Sequence, residues 1–281
     1  MTTGVERVVI VGAGACGGRA AEALREAGHE GAITLVGDEV HPPYERPPLS
    51  KAAVTGAEPA TPATLFGEGR LADLGVELVS GVAAAAIDRD GRTVALADGR
   101  SLPYDRLLLA TGARPRPLAV PGGDAALVLR TVADAEMIRA GLARGGRVVI
   151  IGGGFIGLEL AASARAWGCD VTVIELAPTL MGRVVPAALA DTMATRHAEA
   201  GVVLRCGVGI ERIEVGADEV RIVLTDGATV AADAVIAGVG ALPNVELAEL
   251  LIAARAHPDR AVLADPATSL KSLARQHEGS R

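Results

Sequence analysis

Val148-Val149-Ile150-Ile151-Gly152-Gly153-Gly154-Phe155-Ile156-Gly157-Leu158-Glu159 is an aliphatic run that enters a glycine turn and then a helix-forming stretch. The same pattern stands 140 positions earlier as Val8-Val9-Ile10-Val11-Gly12-Ala13-Gly14-Ala15-Cys16-Gly17, with Val8, Val9, Ile10, Gly12, Gly14 and Gly17 identical to their counterparts. In a strand–turn–helix unit of this spacing the first glycine permits the turn, the second lets backbone N–H groups approach a pyrophosphate, and the third lets the helix pack on its strand. The helix N-terminus then faces the anion. Candidate cofactor-binding residues are therefore Gly12, Gly14, Ala15 and Gly17 in the first copy, and Gly152, Gly154, Phe155, Ile156 and Gly157 in the second. Two such units in one chain point to two dinucleotides that exchange electrons.

Outward from each turn the pattern repeats again. Residues 33–36 and 170–175 read as second parallel strands, and each should end near a carboxylate that accepts from ribose hydroxyls. In the second copy this is Glu175, 18 residues past Gly157; its charge repels a 2′-phosphate and so favours NADH over NADPH, with Arg183 a short loop later acting against that preference. In the first copy Asp38 and Glu39 both qualify, because the loop 28–31 adds residues relative to the second copy. Residues 81–102 and 210–230 read as antiparallel meanders with turns at Asp90-Gly91, Asp98-Gly99 and Asp226-Gly227. Residues 105–113 and 233–241 return as buried strands ending in glycine turns. Residues 131–143 read as a helix leading into the second copy, and the proline- and glycine-rich stretch 113–123 as the connector between halves. The expectation is an α/β chain with two Rossmann-like dinucleotide-binding domains, each carrying a β-meander insertion: 1–116, 117–245, and a divergent tail at 246–281.

The 281 residues, half of them hydrophobic, suffice for two cores. A net charge of −7 without a basic block argues against nucleic acid or an anionic membrane as partner. No apolar run approaches the roughly 18 residues of a membrane-spanning helix, and residue 5 already begins a strand, which leaves a signal peptide no room and sets the expectation of a cytoplasmic protein. Cys16, Cys169 and Cys206 are far apart, with no spacing that suits a disulfide framework, a metal site or a redox dithiol, and each is expected as a small buried apolar residue.

The segments G-A-G-A-C-G, I-T-L-V-G-D-E, H-P-P-Y-E-R-P-P-L-S-K (41–51), L-L-L-A-T-G-A-R-P-R, I-G-G-G-F-I-G-L-E-L-A and G-V-G-A-L-P-N together resemble the FAD-dependent NADH reductases that feed ferredoxins or rubredoxins, including reductase components of oxygenases. The likeness spans residue 5 to about residue 250 and is most specific in Y-E-R-P-P-L-S-K. It implies a first half that holds FAD, with Arg46 and Lys51 on the flavin, Val82 near adenine, and Ala110, Thr111 and Gly112 close to the cofactor. It implies a second half that holds NADH, with Gly240 added to the fingerprint and Glu175. Lys51 and Glu159 would form the ion pair that such reductases keep beside the flavin N5 edge, where a fixed cation with an oriented partner stabilises the reduced ring. Disulfide reductases of the same architecture place a cysteine pair there; this chain has none, so electrons should leave singly to an external iron–sulfur or rubredoxin-like protein. Arg114 and Arg116 are the basic residues suited to an acidic partner.

After Leu250 the resemblance ends. A family member would add a strand closed by a glycine–aspartate pair and then an interface domain over the flavin. Here the aliphatic run 261–264 leads only to Asp265-Pro266, a poor substitute. The expectations are a missing final strand, an open sheet edge, a missing interface domain, weakened FAD binding and a short helix at 267–275. An impaired nucleotide-binding fragment, filled only in its second half, is the alternative to an active reductase.

Overall fold

Each aliphatic run forms the central strand of a parallel sheet. In the computed structural model, which describes residues 6–56, 61–182, 184–216, 219–253 and 261–263, Val8–Val11 lies between Ile33–Val36 and Arg106–Leu109, with Val11 paired to Val36 on one side and to Leu109 on the other. Arg147–Ile151 lies in the same way between Asp170–Glu175 and Ala234–Ala237. Both sheets gain an outer parallel strand that the sequence reading did not single out, Val76–Val79 and Val203–Cys206. The helices Ala15–Glu26 and Phe155–Ala166 start directly at the glycine turns.

The runs are unbroken by polar residues because both faces of each sheet are covered. Val9 and Val11 pack with Val94, Leu96 and Leu107 on the face of the meander Ala84–Asp88, Thr93–Leu96 and Ser101–Pro103. Val8 and Ile10 point the other way, to Ala21 of the helix and to Leu35. In the second sheet Val149 and Ile151 join Ile213, Ile222 and Leu224 of the meander Ile210–Val215, Val220–Leu224 and Thr229–Ala232. Each fully buried aliphatic side chain contributes about 1.5–3 kcal/mol relative to exposure.

The chain divides into two compact units, one made of residues up to 45, 63–113 and 243 onward, the other of 46–62 and 114–242. Two features depart from the continuous domains expected. Residues 46–56 pack with the second unit, to which Ser50 and Val54 are hydrogen-bonded. Residues 246–253, expected as the start of a tail, form the helix Glu246–Ala253, whose Ala248 is buried in the first unit's core beside Val82 and Ile87.

The open sheet edge is also corrected. Ala261–Leu263 adds to Arg106–Leu109 as a parallel strand, Ala261 opposite Leu107 and Leu263 opposite Leu109. An aliphatic tripeptide satisfies the exposed N–H and C=O groups of an edge whatever residue follows it, so the glycine–aspartate pair is not needed for pairing. The second sheet fills the corresponding place with Leu127, which bridges Ile236 in parallel. Residues 264–281, including Asp265 and the expected helix at 267–275, and Arg183 lie outside the described residues.

One clamp is duplicated with the fold. Arg7, just before the first central strand, meets Asp105 through its backbone N–H at 2.8 Å and its guanidinium at 3.1 and 3.2 Å. Arg147 meets Asp233 in the same three ways at 2.7, 3.2 and 2.8 Å. These donors bring both carboxyls from the ordinary 3.8 to about 2. A lowered folded-state pKa means stabilisation that is complete above the unfolded value and is lost as pH falls through the folded one. The stabilisation from both clamps should therefore fade between about pH 4 and pH 2. Asp233→Asn should be less stable at neutral pH and show a shallower decline through that window, as read by denaturation at a series of pH values.

Candidate functional site

The three glycines of each fingerprint are glycine for different reasons. Gly12 and Gly152 hold φ at +115° and +107°, where a side chain would be strained, and a Cβ on either would lie 2.1 or 2.5 Å from a carbonyl oxygen of the returning strand, Ala110 or Gly238. A Cβ on Gly17 or Gly157 would lie 1.9 or 2.0 Å from the carbonyl oxygen of Gly12 or Gly152. Gly14 and Gly154 differ from both groups. Their φ values are −83° and −86°, and nothing among the described residues stands within 4 Å of a Cβ placed there. Neither backbone conformation nor packing calls for glycine at these two positions, and each opens a helix at its N-terminus. The open face in front of each is the cradle a pyrophosphate requires.

In the second unit that face opens on a cavity of about 680 Å³ bordered by Gly153, Gly154, Glu175, Leu176, Val208 and Gly240. Phe155, Ile156 and Leu176, large and apolar, stand 58%, 45% and 75% exposed at its wall, as expected of a ligand pocket. The Glu175 carboxylate accepts from the Gly153 N–H at 2.6 Å and from the Ala177 N–H at 2.7 Å, one on each oxygen. A carboxylate offers about four lone-pair sites, so acceptor capacity remains for a ribose. The backbone of Gly240 is tied to Arg116, whose N–H donates to its carbonyl at 2.9 Å.

The first unit is built on a complementary exchange. Val11 pairs with Val36 and Ile151 with Ile174, so Glu175 corresponds in register to Gly37. Gly37 has no room for a side chain, because a Cβ there would lie 2.5 Å from that of Ala13, whereas the second copy has Gly153 opposite Glu175. With the register position closed, the acidic residue comes later. Asp38 is exposed; Glu39 is half-buried and receives the Tyr44 hydroxyl at 2.6 Å. Val82 donates its N–H to Gly37 at 3.0 Å and packs on the core. Ala110-Thr111-Gly112 is gripped by Asn244: the Thr111 hydroxyl donates to the Asn244 carbonyl at 2.6 Å, the Asn244 amide to the Thr111 carbonyl at 2.9 Å, and the Asn244 N–H to the Gly112 carbonyl at 2.9 Å.

Lys51 and Glu159 form an ion pair, Nζ to Oε1 at 2.8 Å. The other Glu159 oxygen accepts from the Ser50 hydroxyl. Arg46 donates to the Arg130 carbonyl. Tyr44, Ser50 and Asn244 were not singled out from sequence, though the first two lie inside H-P-P-Y-E-R-P-P-L-S-K and the third closes G-A-L-P-N.

The cysteine expectation holds for Cys169 alone. It is buried, and burial pushes its thiol up, whereas Cys16 and Cys206 are exposed; none of the three forms a disulfide. Cys16 follows the open glycine face and Cys206 ends a sheet-edge strand, positions that a linear reading of small apolar residues does not distinguish from core.

Two parallel sheets, each with a meander and a glycine turn that leaves its middle glycine open, define an architecture with two dinucleotide-binding-type units. The chain belongs to the pyridine nucleotide-disulphide oxidoreductase family, which it matches over residues 6–267. It is 42% identical over 246 residues to rhodocoxin reductase of Rhodococcus erythropolis, covering 86% of this chain and 58% of that one. It is also 42% identical over 251 residues to putidaredoxin reductase of Pseudomonas putida, covering 86% and 60%. Among solved structures it is similar to a ferredoxin reductase from Rhodopseudomonas palustris, with a TM-score of 0.84 at 43% identity over 87% of this chain and 61% of that one. The covalent putidaredoxin reductase–putidaredoxin complex gives a TM-score of 0.82 at 43% identity, again over 87% and 61%. The chain thus spans about three-fifths of the length of these relatives. Among the described residues no helix is long and apolar enough to cross a membrane.

Proposed function

We propose that the protein is an FAD-dependent NADH oxidoreductase that passes electrons to a ferredoxin- or rubredoxin-like protein, as in an oxygenase system. The observation that carries the dinucleotide part is the pair of glycines, Gly14 and Gly154, that no intramolecular contact or dihedral requires. The acceptor is inferred from the relatives, which are reductases named for rhodocoxin, putidaredoxin and ferredoxin.

Bound FAD would supply the conversion of a two-electron hydride into single electrons. On this reading Gly12, Gly14, Ala15 and Gly17 hold its pyrophosphate, Glu39 rather than Asp38 accepts from its ribose, Val82 borders the adenine, and Ala110, Thr111 and Gly112 complete the site. Lys51, oriented by Glu159, places a fixed cation for the charge that reduction creates. In the second unit Gly152, Gly154, Phe155, Ile156, Gly157 and Gly240 hold NADH, and Glu175 selects it over NADPH. The two units need no proton-transfer residue for hydride delivery.

The test is the absorbance spectrum after loading with excess FAD and removing the unbound fraction. A retained flavin band that bleaches with NADH is the expected result. A colourless protein that still binds NADH would replace this reading by that of a nucleotide-binding protein filled only in its second half.

A further inference from the structure

The helix Phe155–Ala166 carries Glu159 and Ser163, and Trp167 caps its end. At four-residue spacing these form one stripe, and each member bonds the segment that follows Arg46. Glu159 accepts from the Ser50 hydroxyl. Ser163 donates to the Ser50 carbonyl at 2.9 Å, and the Trp167 indole to the Val54 carbonyl at 2.7 Å. This stripe is why residues 46–55 pack with the second unit although they follow the first in sequence.

Ser50 is thus held twice, and both serines are 4% exposed. The two bonds do different things. The Ser163 bond ties a backbone carbonyl to the helix and touches no charge. The Ser50 hydroxyl has one proton, and it can go to Glu159 Oε2 or to the Pro47 carbonyl at 3.3 Å. The carboxylate is the stronger acceptor, since a charged partner roughly doubles a hydrogen bond. With Oε2 pinned, rotation of the carboxylate is blocked and Oε1 stays on the Lys51 ammonium, whose further partner among the described residues is the Pro47 carbonyl at 3.2 Å.

We infer that Ser50 is a positioning residue: its hydroxyl fixes the rotation of the Glu159 carboxylate and through it the place of the Lys51 ammonium. The consequence at the flavin rests on the proposed function; the positioning itself does not. Lys51 is half exposed, so its own surroundings do not immobilise a four-carbon side chain, and the orientation must come from Glu159 and what holds Glu159.

The composition makes a direct test available. Of 27 basic residues only two are lysines, Lys51 and Lys271. Brief treatment of the flavin-free protein with acetic anhydride, followed by peptide mass spectrometry, reads Lys51 acylation against Lys271 in the same chain. Ser50→Ala should raise Lys51 labelling roughly two- to fivefold, the size of an exposed ion pair's contribution. Ser50→Cys, nearly the same size but a weak donor, should do the same and guards against a folding defect in the first variant. Ser163→Ala, which loosens the same segment without touching the carboxylate, should label at the parent rate. In a Glu159→Gln background, adding Ser50→Ala should change nothing further, because the residue acts through that carboxylate. Labelling of Ser50→Ala and Ser50→Cys at the parent rate would overturn the inference. So would an equal rise in Ser163→Ala, or an additive effect on Glu159→Gln. Failure of the protein to bind FAD would count against the proposed function and leave these outcomes readable.

Discussion

Gly154→Ala is expected to fold with a stability within about 1 kcal/mol of the parent and to bind NADH roughly ten- to a hundredfold more weakly, a loss of about 1.4–2.8 kcal/mol. The stability part follows from φ −86° and ψ −175°, which any residue adopts, and from the empty 4 Å around the added methyl. The affinity part follows from where that methyl goes, into the space in front of the helix N-terminus that a pyrophosphate must enter. Gly152→Ala is the opposite case. Its φ of +107° and a Cβ 2.5 Å from the Gly238 carbonyl oxygen should cost roughly 2–5 kcal/mol of stability from strain and overpacking. Chemical denaturation and NADH titration by fluorescence separate the two. Parent-like NADH binding by Gly154→Ala would remove the main support for a dinucleotide at this turn. The same contrast, with FAD as the ligand, applies to Gly14→Ala and Gly12→Ala.

The second large effect belongs to Glu175. Its carboxylate closes the glycine turn from below through Gly153 and ties down Ala177, and on the proposed function it also accepts from the NADH ribose. Glu175→Ala should therefore lower stability by about 1–3 kcal/mol, the cost of part-buried N–H groups left without a partner. It should also weaken NADH binding roughly tenfold or more while leaving NADPH binding less affected, since the repulsion of a 2′-phosphate disappears along with the ribose bond. Glu175→Gln keeps an acceptor oxygen and should fall between. Dissociation constants for both nucleotides, measured beside denaturation curves, give the answer. An unchanged NADH-to-NADPH ratio in Glu175→Ala would mean that this carboxylate serves the turn alone.

Both predictions grow from a doubling that is visible in the one-dimensional string. The glycine spacing, the aliphatic runs before it, the meanders after it and the returning strands are local patterns. Each is dictated by what a buried parallel strand, a tight turn or a hairpin demands of neighbouring residues, so the two-unit α/β architecture could be read without coordinates. Even the Lys51–Glu159 pair was legible, though through resemblance and not through spacing, since 108 positions separate the two.

The remainder depended on residues distant in sequence meeting in space. Only strand register shows that Glu175 corresponds to Gly37, and only the 2.5 Å approach to Ala13 shows why that place is glycine, while Glu39, two positions later, is held by Tyr44. Only the sheet edge shows that Ala261–Leu263 finds a partner, because backbone pairing asks for exposed N–H and C=O groups and not for a particular motif. Only helix periodicity, seen against a docked segment, sets Glu159, Ser163 and Trp167 in one row and assigns residues 46–55 to the second unit. The sequence by itself determined which elements form and what class of ligand they suit, because propensity and periodicity are local. Tertiary structure decided which carboxylate faces which donor and where each segment packs, because hydrogen bonds and close approaches join residues that the chain keeps far apart.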